Sequence, residues 1–167
     1  VSGSGIQLQG GRQHLFHSIT IQSMGRGGIE IESGDIPSLI SSECVIENCI
    51  FRDLGRIDRT YTPAIIFQGV GFKIQHCLFE NMPSSAIRAE GNDMLLQFNV
   101  FRKTNLESDD QGSLDTFWNP LYRGNVIRWN YFYDIGREPT LMAASIRLDG
   151  WRRFRSCWCR NLARCSP

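Results

Sequence analysis

No run of this sequence is apolar for the ~18–20 residues that a membrane-spanning helix needs. Its first residues carry neither the charged start nor the apolar segment of a secretion signal. Lysine is nearly missing: Lys73 and Lys103 are the only two, so almost all positive charge is arginine. Nowhere in the body do basic residues and aromatics interleave in a stripe, which argues against nucleic acid as a partner. Paired C-x-x-C units are lacking too, and Cys157-x-Cys159 has neither the spacing nor the histidine partners of a zinc site. Between Val1 and Gly150 no stretch shows the periodicity of an amphipathic helix. These absences leave a globular, all-β reading with no membrane span, no nucleic acid and no cofactor.

The charge and the cysteines divide the chain. Hydrophobic residues make up 41% and charged residues 21% of 167 positions, enough for one domain with a real core. Of the 18 basic residues, five arginines lie between Trp151 and Pro167 with no acid among them. The remaining 13 face 17 acids, so the body carries a formal charge of −4. Cys44, Cys49 and Cys77 belong to the body, and Cys157, Cys159 and Cys165 to the tail. Residues 1–150 therefore read as one repeat domain, incomplete at both ends, since Ser4-Gly5-Ile6 already looks like the middle of a repeat. Residues 151–167 read as an aberrant, disordered Arg/Cys-rich tail, the mark of a slipped reading frame or an alternative exon.

The repeat itself is visible in four ungapped segments: Ile46-Glu-Asn-Cys-Ile-Phe-Arg-Asp-Leu54, Ile74-Gln-His-Cys-Leu-Phe-Glu-Asn-Met82, Leu96-Gln-Phe-Asn-Val-Phe-Arg-Lys-Thr104 and Ile127-Arg-Trp-Asn-Tyr-Phe-Tyr-Asp-Ile135. The fourth position holds Cys49, Cys77, Asn99 and Asn130; the sixth is always phenylalanine. Spacings of 28, 22 and 31 residues between successive copies fit one coil of a solenoid with loops of varying length. Leu15 to Met24 is a degenerate opening copy. A second set interleaves: Gly5 to Gly10, Gly28 to Glu32, Ala64 to Gly69, Ala86 to Gly91, Ser113 to Phe117 and Ser145 to Gly150. Its alternation buries one face of a strand and turns Gln7, Glu30, Ile66, Arg88, Asp115 and Arg147 outward, with Gln9, Glu32, Gln68, Glu90, Phe117 and Asp149 beside them. The pattern predicts a right-handed parallel β-helix of about five to six coils, with at least two strands per coil and glycine at most corners. Asn99 and Asn130 are expected to bond along the stack, and Cys49 and Cys77 to be buried thiols in the same column. Uncapped coils predict end-to-end self-association.

Solenoids carry function on an extended side face. The outward column of Glu30, Glu32, Arg88, Glu90, Asp115, Arg147 and Asp149 places carboxylates at matching positions of neighbouring coils. Glycoside hydrolysis uses such a pair, separated by about 5–5.5 Å for retention and 6.5–9.5 Å for inversion. Any one of these charges also serves simply to solvate an outer sheet face. The loop Leu106 to Ser113 adds Glu107, Asp109 and Asp110, followed by Trp118 and Tyr122 as platforms for sugar rings. An acidic turn, or a calcium site at Asp109 and Asp110, is the competing reading.

Ala86 to Asp149 resembles the right-handed β-helix proteins of the pectate-lyase-like superfamily, and within it proteins like family 141 of the glycoside hydrolases. The resemblance rests on Glu90-Gly-Asn-Asp93, Glu107-Ser-Asp-Asp-Gln-Gly-Ser113, Arg123-Gly-Asn-Val-Ile-Arg-Trp-Asn130 and Ile146-Arg-Leu-Asp-Gly150. It implies that Asp110 and Asp149 act as a catalytic carboxylate pair. Arg88, Glu90, Asp115, Trp118 and Arg147 are then expected to hold a polysaccharide or oligosaccharide, and the longer protein to be secreted. The pattern departs where that family tends to have an outward tyrosine (here Asp115) and a second aspartate before Gly150 (here absent). A polysaccharide lyase, with an arginine as base, and a non-catalytic carbohydrate-binding segment remain as alternatives.

Overall fold

The computed structural model describes residues 3–116, 119–137 and 143–148. Each coil contributes three short strands. The first coil holds β1 (Ile6–Gln9), β2 (Leu15–His17) and β3 (Thr20–Gln22); the second holds β4 (Ile29–Ser33), β5 (Val45–Glu47) and β6 (Ile50–Arg52). The third holds β7 (Ile65–Val70), β8 (Lys73–Gln75) and β9 (Leu78–Glu80), and the fourth β10 (Ile87–Asn92), β11 (Leu95–Gln97) and β12 (Val100–Arg102). The fifth holds β13 (Gln111–Thr116), β14 (Val126–Arg128) and β15 (Tyr131–Tyr133), and β16 (Ala143–Leu148) opens a sixth. Corresponding strands stack in parallel. The first sheet runs β1-β4-β7-β10-β13-β16, the second β14-β11-β8-β5-β2, the third β15-β12-β9-β6-β3. The chain is an all-β parallel solenoid of five to six coils. Among the described residues there is no helix.

One coil cannot bury its own apolar face, so the core exists only between coils. Phe51, Phe79, Phe101 and Phe132 stack along the axis with ring centroids 5.0, 4.9 and 4.5 Å apart and planes within 8°. Such spacing is that of adjacent parallel strands, and Ile21 continues the column in the degenerate first coil, in register with Phe51. The column beside it is a hydrogen-bond ladder. Asn130 Oδ1 receives the Asn99 N–H at 3.0 Å, and Asn99 Oδ1 receives the Cys77 N–H at 3.0 Å. Farther along, Sγ takes the place of the amide oxygen: the Cys49 backbone bonds to Cys77 and the Ile19 backbone to Cys49. The thiols therefore occupy the expected buried column, both at 2% exposure or less.

The corners differ from the expectation of glycine. Ser18, Asn48, His76, Phe98 and Trp129 turn the chain between the second and third sheets, all at φ of 54–56°. Ser23, Asp53, Asn81, Lys103 and Asp134 leave the third sheet at φ of 50–57°. Left-handed backbone suits Asn and Asp, whose side chains bond locally, and is unusual for Phe and Trp. Here each corner is over-determined by its neighbours one coil away. Glycine serves instead where the chain leaves the first sheet, at Gly10, Gly34, Gly69, Gly71 and Gly91, and in the loops after the third sheet at Gly55 and Gly136. Gly91 (φ 149°) and Gly69 (φ 143°) stack in register, and a Cβ on Gly91 would collide with the Gly69 carbonyl.

Candidate functional site

The outer face of the first sheet carries two rows of side chains. Register places Gln7, Glu30, Ile66, Arg88, Asp115 and Arg147 in one row, and Gln9, Glu32, Gln68 and Glu90 in the next. The sequence expectation that matching positions bring carboxylates together is not met along this face. Among the described residues each carboxylate of these rows has an amide, an aliphatic group or a guanidinium opposite it. Gln7 donates to Glu30 at 3.2 Å and Gln68 to Glu90 at 2.9 Å. Directly opposed like charges repel, so stacked strands favour this alternation.

From the fourth coil onward the face becomes a charged cluster. Arg88 and Arg147 flank Asp115 in register on either side. Arg88 also forms an ion pair with Glu90, and Arg147 reaches Asp110 at 2.8 Å. Asp115 is 3% exposed although it points away from the core; Asp110 is half exposed. The structure thus brings together Arg88, Glu90, Asp110, Asp115 and Arg147 of the residues expected from sequence. Asp149 and Trp118 lie outside the described residues.

Two loops build the cluster's walls. The first, residues 104–110, is anchored by buried Thr104 and Asn105. Thr104 Oγ1 lies 2.6 Å from Ser113 Oγ, and Asn105 Nδ2 donates to the Gln111 and Ala144 carbonyls at 3.1 and 3.4 Å. Asp110 itself is left-handed at φ 60°, which aims it at the next coil immediately before β13. Residues 55–63 brace this loop from outside: Arg59 forms an ion pair with Glu107, and Ser108 Oγ donates to the Arg59 carbonyl at 3.3 Å. The Arg59 hydrogen bond holds the Glu107 carboxyl below its ordinary value. The second wall is the stretch 119–125. Asn92 Oδ1 receives the Arg123 N–H at 2.6 Å, and Asn125 bridges the Gly91 carbonyl at 2.8 Å and the Met94 N–H at 3.0 Å. Tyr122 comes close to the cluster. Burial raises its phenol above the ordinary value, Glu90 adds to the rise, and an Asn119 hydrogen bond and Arg88 oppose it.

Sequence reasoning named Tyr122 but missed the tethers Asn92, Asn105 and Asn125. Glu90-Gly-Asn-Asp93 and Arg123-Gly-Asn125 were the visible signs of Asn92 and Asn125, and Asn105 had none. Also missed was a ladder of rings at an outer corner: His76, Phe98 and Trp129 stack at 5.1 and 4.9 Å, with Arg128 4.2 Å above Trp129. Their faces cover one another, so mainly their edges meet solvent.

Two hollows accompany these features. A small one of about 60 Å³ lies on the first-sheet face between Gln7, Gln9, Glu30, Glu32, Ile66 and Gln68, on the same face as the cluster. A larger groove of about 440 Å³ lies beside the bracing loops, lined by Asp53, Arg56, Arg59, Asn81 and Glu107 among others, and includes none of the cluster. Volume alone favours the groove. Convergent, desolvated charge favours the sheet face, and that is the better guide to chemistry. Among the described residues no three His, Cys, Asp or Glu side chains gather to hold a metal ion, and Asp110 is ion-paired to Arg147.

Fold and cluster together define the class, an all-β parallel solenoid with charged groups on one side face. No protein family, curated protein or solved structure matches the chain in comparisons with known proteins.

Proposed function

We propose that the chain is a carbohydrate-active β-helix domain of glycoside hydrolase-like character, which holds a polysaccharide against the outer face of its first sheet. The observation that carries this reading is the convergence of Arg88, Glu90, Asp110, Asp115 and Arg147 on that face, with Tyr122 near Glu90 and Arg88. Guanidiniums and carboxylates in fixed alternation supply the directional donors and acceptors that sugar hydroxyls need, and a tyrosine ring supplies an apolar surface. Asp110 is the accessible carboxylate of the group and acts with Asp149 in the proposed hydrolysis, one as acid and the other as base or nucleophile. A non-catalytic binding role is the second reading, favoured by the Arg147 ion pair that neutralises Asp110. A lyase is disfavoured: of the bases it would need here, Arg88 and Arg147 are committed to carboxylates, and burial raises the Tyr122 phenol above its ordinary value.

The test is gel retardation of the chain by xylan, arabinogalactan and polygalacturonate, followed by assay of reducing ends and of ultraviolet-absorbing unsaturated ends. Retardation with reducing ends alone, lost by roughly 10²–10⁴-fold in Asp110→Asn with an unchanged circular dichroism spectrum, is the expected result. Retardation without product selects the binding role, and unsaturated ends select a lyase. No retardation by any of them removes the carbohydrate reading.

A further inference from the structure

Cys49 and Cys77 occupy one column in consecutive coils. Ile46 pairs with Ile74 and Ile50 with Leu78, so the two cysteines face each other across one strand spacing. That spacing is ~4.8 Å, inside the ~4.4–6.8 Å between Cα atoms that a disulfide spans. Both thiols are buried in that column, at 2% exposure or less. Cys44, the other described thiol, instead faces Ser33 Oγ at 3.7 Å and the Ser42 carbonyl at 3.6 Å.

We propose that Cys49 and Cys77 form a peroxide-responsive dithiol whose disulfide staples the second coil to the third. The Cys49 thiolate attacks one peroxide oxygen and releases hydroxide, leaving a sulfenic acid; the Cys77 sulfur then displaces the sulfenic oxygen as water. The two thiols lose two electrons to the peroxide, and the sum is one disulfide and two waters. Cys49 lies against the first coil and Cys77 one coil deeper, so Cys49 is the sulfur that peroxide reaches first, and the neighbouring Cys77 lowers its thiol against the opposing effect of burial. Access comes through the first coil. Cys49 is covered there by Phe16, whose carbonyl is 3.5 Å from Sγ, and by the Ile19 backbone. That coil's second and third strands are three residues each with exposed ends, at Leu15, His17, Thr20 and Gln22, and such thinly buried segments open locally.

The experiment treats the full chain with hydrogen peroxide, once folded and once during refolding from urea. Digestion after Lys, Arg and Glu then separates Cys49 (Asn48 to Arg52) from Cys44 and from Cys77 (Ile74 to Glu80). The expected result is a linked pair of these two peptides, released by reductant and absent in Cys77→Ser, with the melting midpoint of the oxidised chain raised by about 5 °C. Cys44→Ser leaves the link in place. A link in neither preparation, or one that joins Cys49 to Cys44 or to a tail cysteine instead, overturns the proposal. So does a Cys49–Cys77 link that leaves the melting midpoint unchanged, because the disulfide then braces nothing.

Discussion

The outer face of the first sheet has two halves that share a backbone and differ in chemistry. Over the first three coils it presents Gln7, Glu30 and Ile66, with Gln9, Glu32 and Gln68 beside them, open to water or partly so. Over the next three it presents Arg88, Asp115 and Arg147, with Asp115 buried and loops drawn across it. The inner faces beneath hardly change: Ile6, Ile29, Ile65, Ile87, Leu114 and Ile146 run through both. Folding therefore asks for nothing different in the two halves. Burying an aspartate between two arginines is costly and contributes little to stability that an apolar residue would not. Its presence in one half alone is the strongest internal sign that this half is the one with a task.

The largest break in that comparison should come from Asp115→Ala. Removing a buried carboxylate strands two guanidiniums that have it opposite them. Each keeps a second carboxylate and some access to water, so the cost is about 2–3 kcal/mol, short of that for a fully buried pair. Glu30→Ala, at the same row of the other half, should change stability by less than about 0.5 kcal/mol. Urea midpoints of the two variants read the difference directly. Equal midpoints would mean that Asp115 is no more embedded than Glu30. A smaller effect is expected on ligand. If the charged half holds the glycan, Arg88→Met weakens retardation by the best polysaccharide about tenfold, a change of ~1.4 kcal/mol. Glu32→Gln weakens it less than twofold. Parity between these variants would move the binding surface toward the first coils or away from this face.

Much of this face was legible in advance, because alternation in a strand fixes which side chains turn outward. Arg88, Asp115 and Arg147 could be placed in one row from spacing alone, as could the phenylalanine column and the Cys/Asn ladder. The corners were not legible. A repeat segment such as Ile74 to Met82 reads as one strand, yet it bends at His76, and of the four corners at that position Asn48 and His76 carry a left-handed preference while Phe98 and Trp129 do not. Stacking on the neighbouring coil supplies what local preference withholds, and that is a tertiary effect. The walls of the cluster escaped for a similar reason. Asn92, Asn105 and Asn125 look like ordinary loop residues until the coil they tie to is known, and the burial of Asp115 follows from what packs over an outer strand face.

The smallest effect concerns the brace behind the cluster, and pH is its probe. Arg59 holds Glu107 ionised below the usual carboxylate range. A carboxyl whose folded pKa is depressed contributes stability above its unfolded value, near 4.3, and loses that contribution as pH falls through the folded value. The pair is largely exposed and screened by salt, so the contribution is slight. It acts locally, on two loops that pin Asp110 from outside. Hydrogen exchange over residues 104–110 should therefore accelerate, relative to the intrinsic rate, as pH drops from about 5 toward 3. Arg59→Gln should remove much of that acceleration and leave exchange in the phenylalanine column unchanged. If Arg59→Gln leaves the loop's pH response intact, the ion pair is decorative and residues 104–110 are held by Asn105 and Thr104 alone. That outcome would sharpen the contrast with the first coils, for the charged half would then owe its order to buried amide and hydroxyl tethers rather than to surface charge.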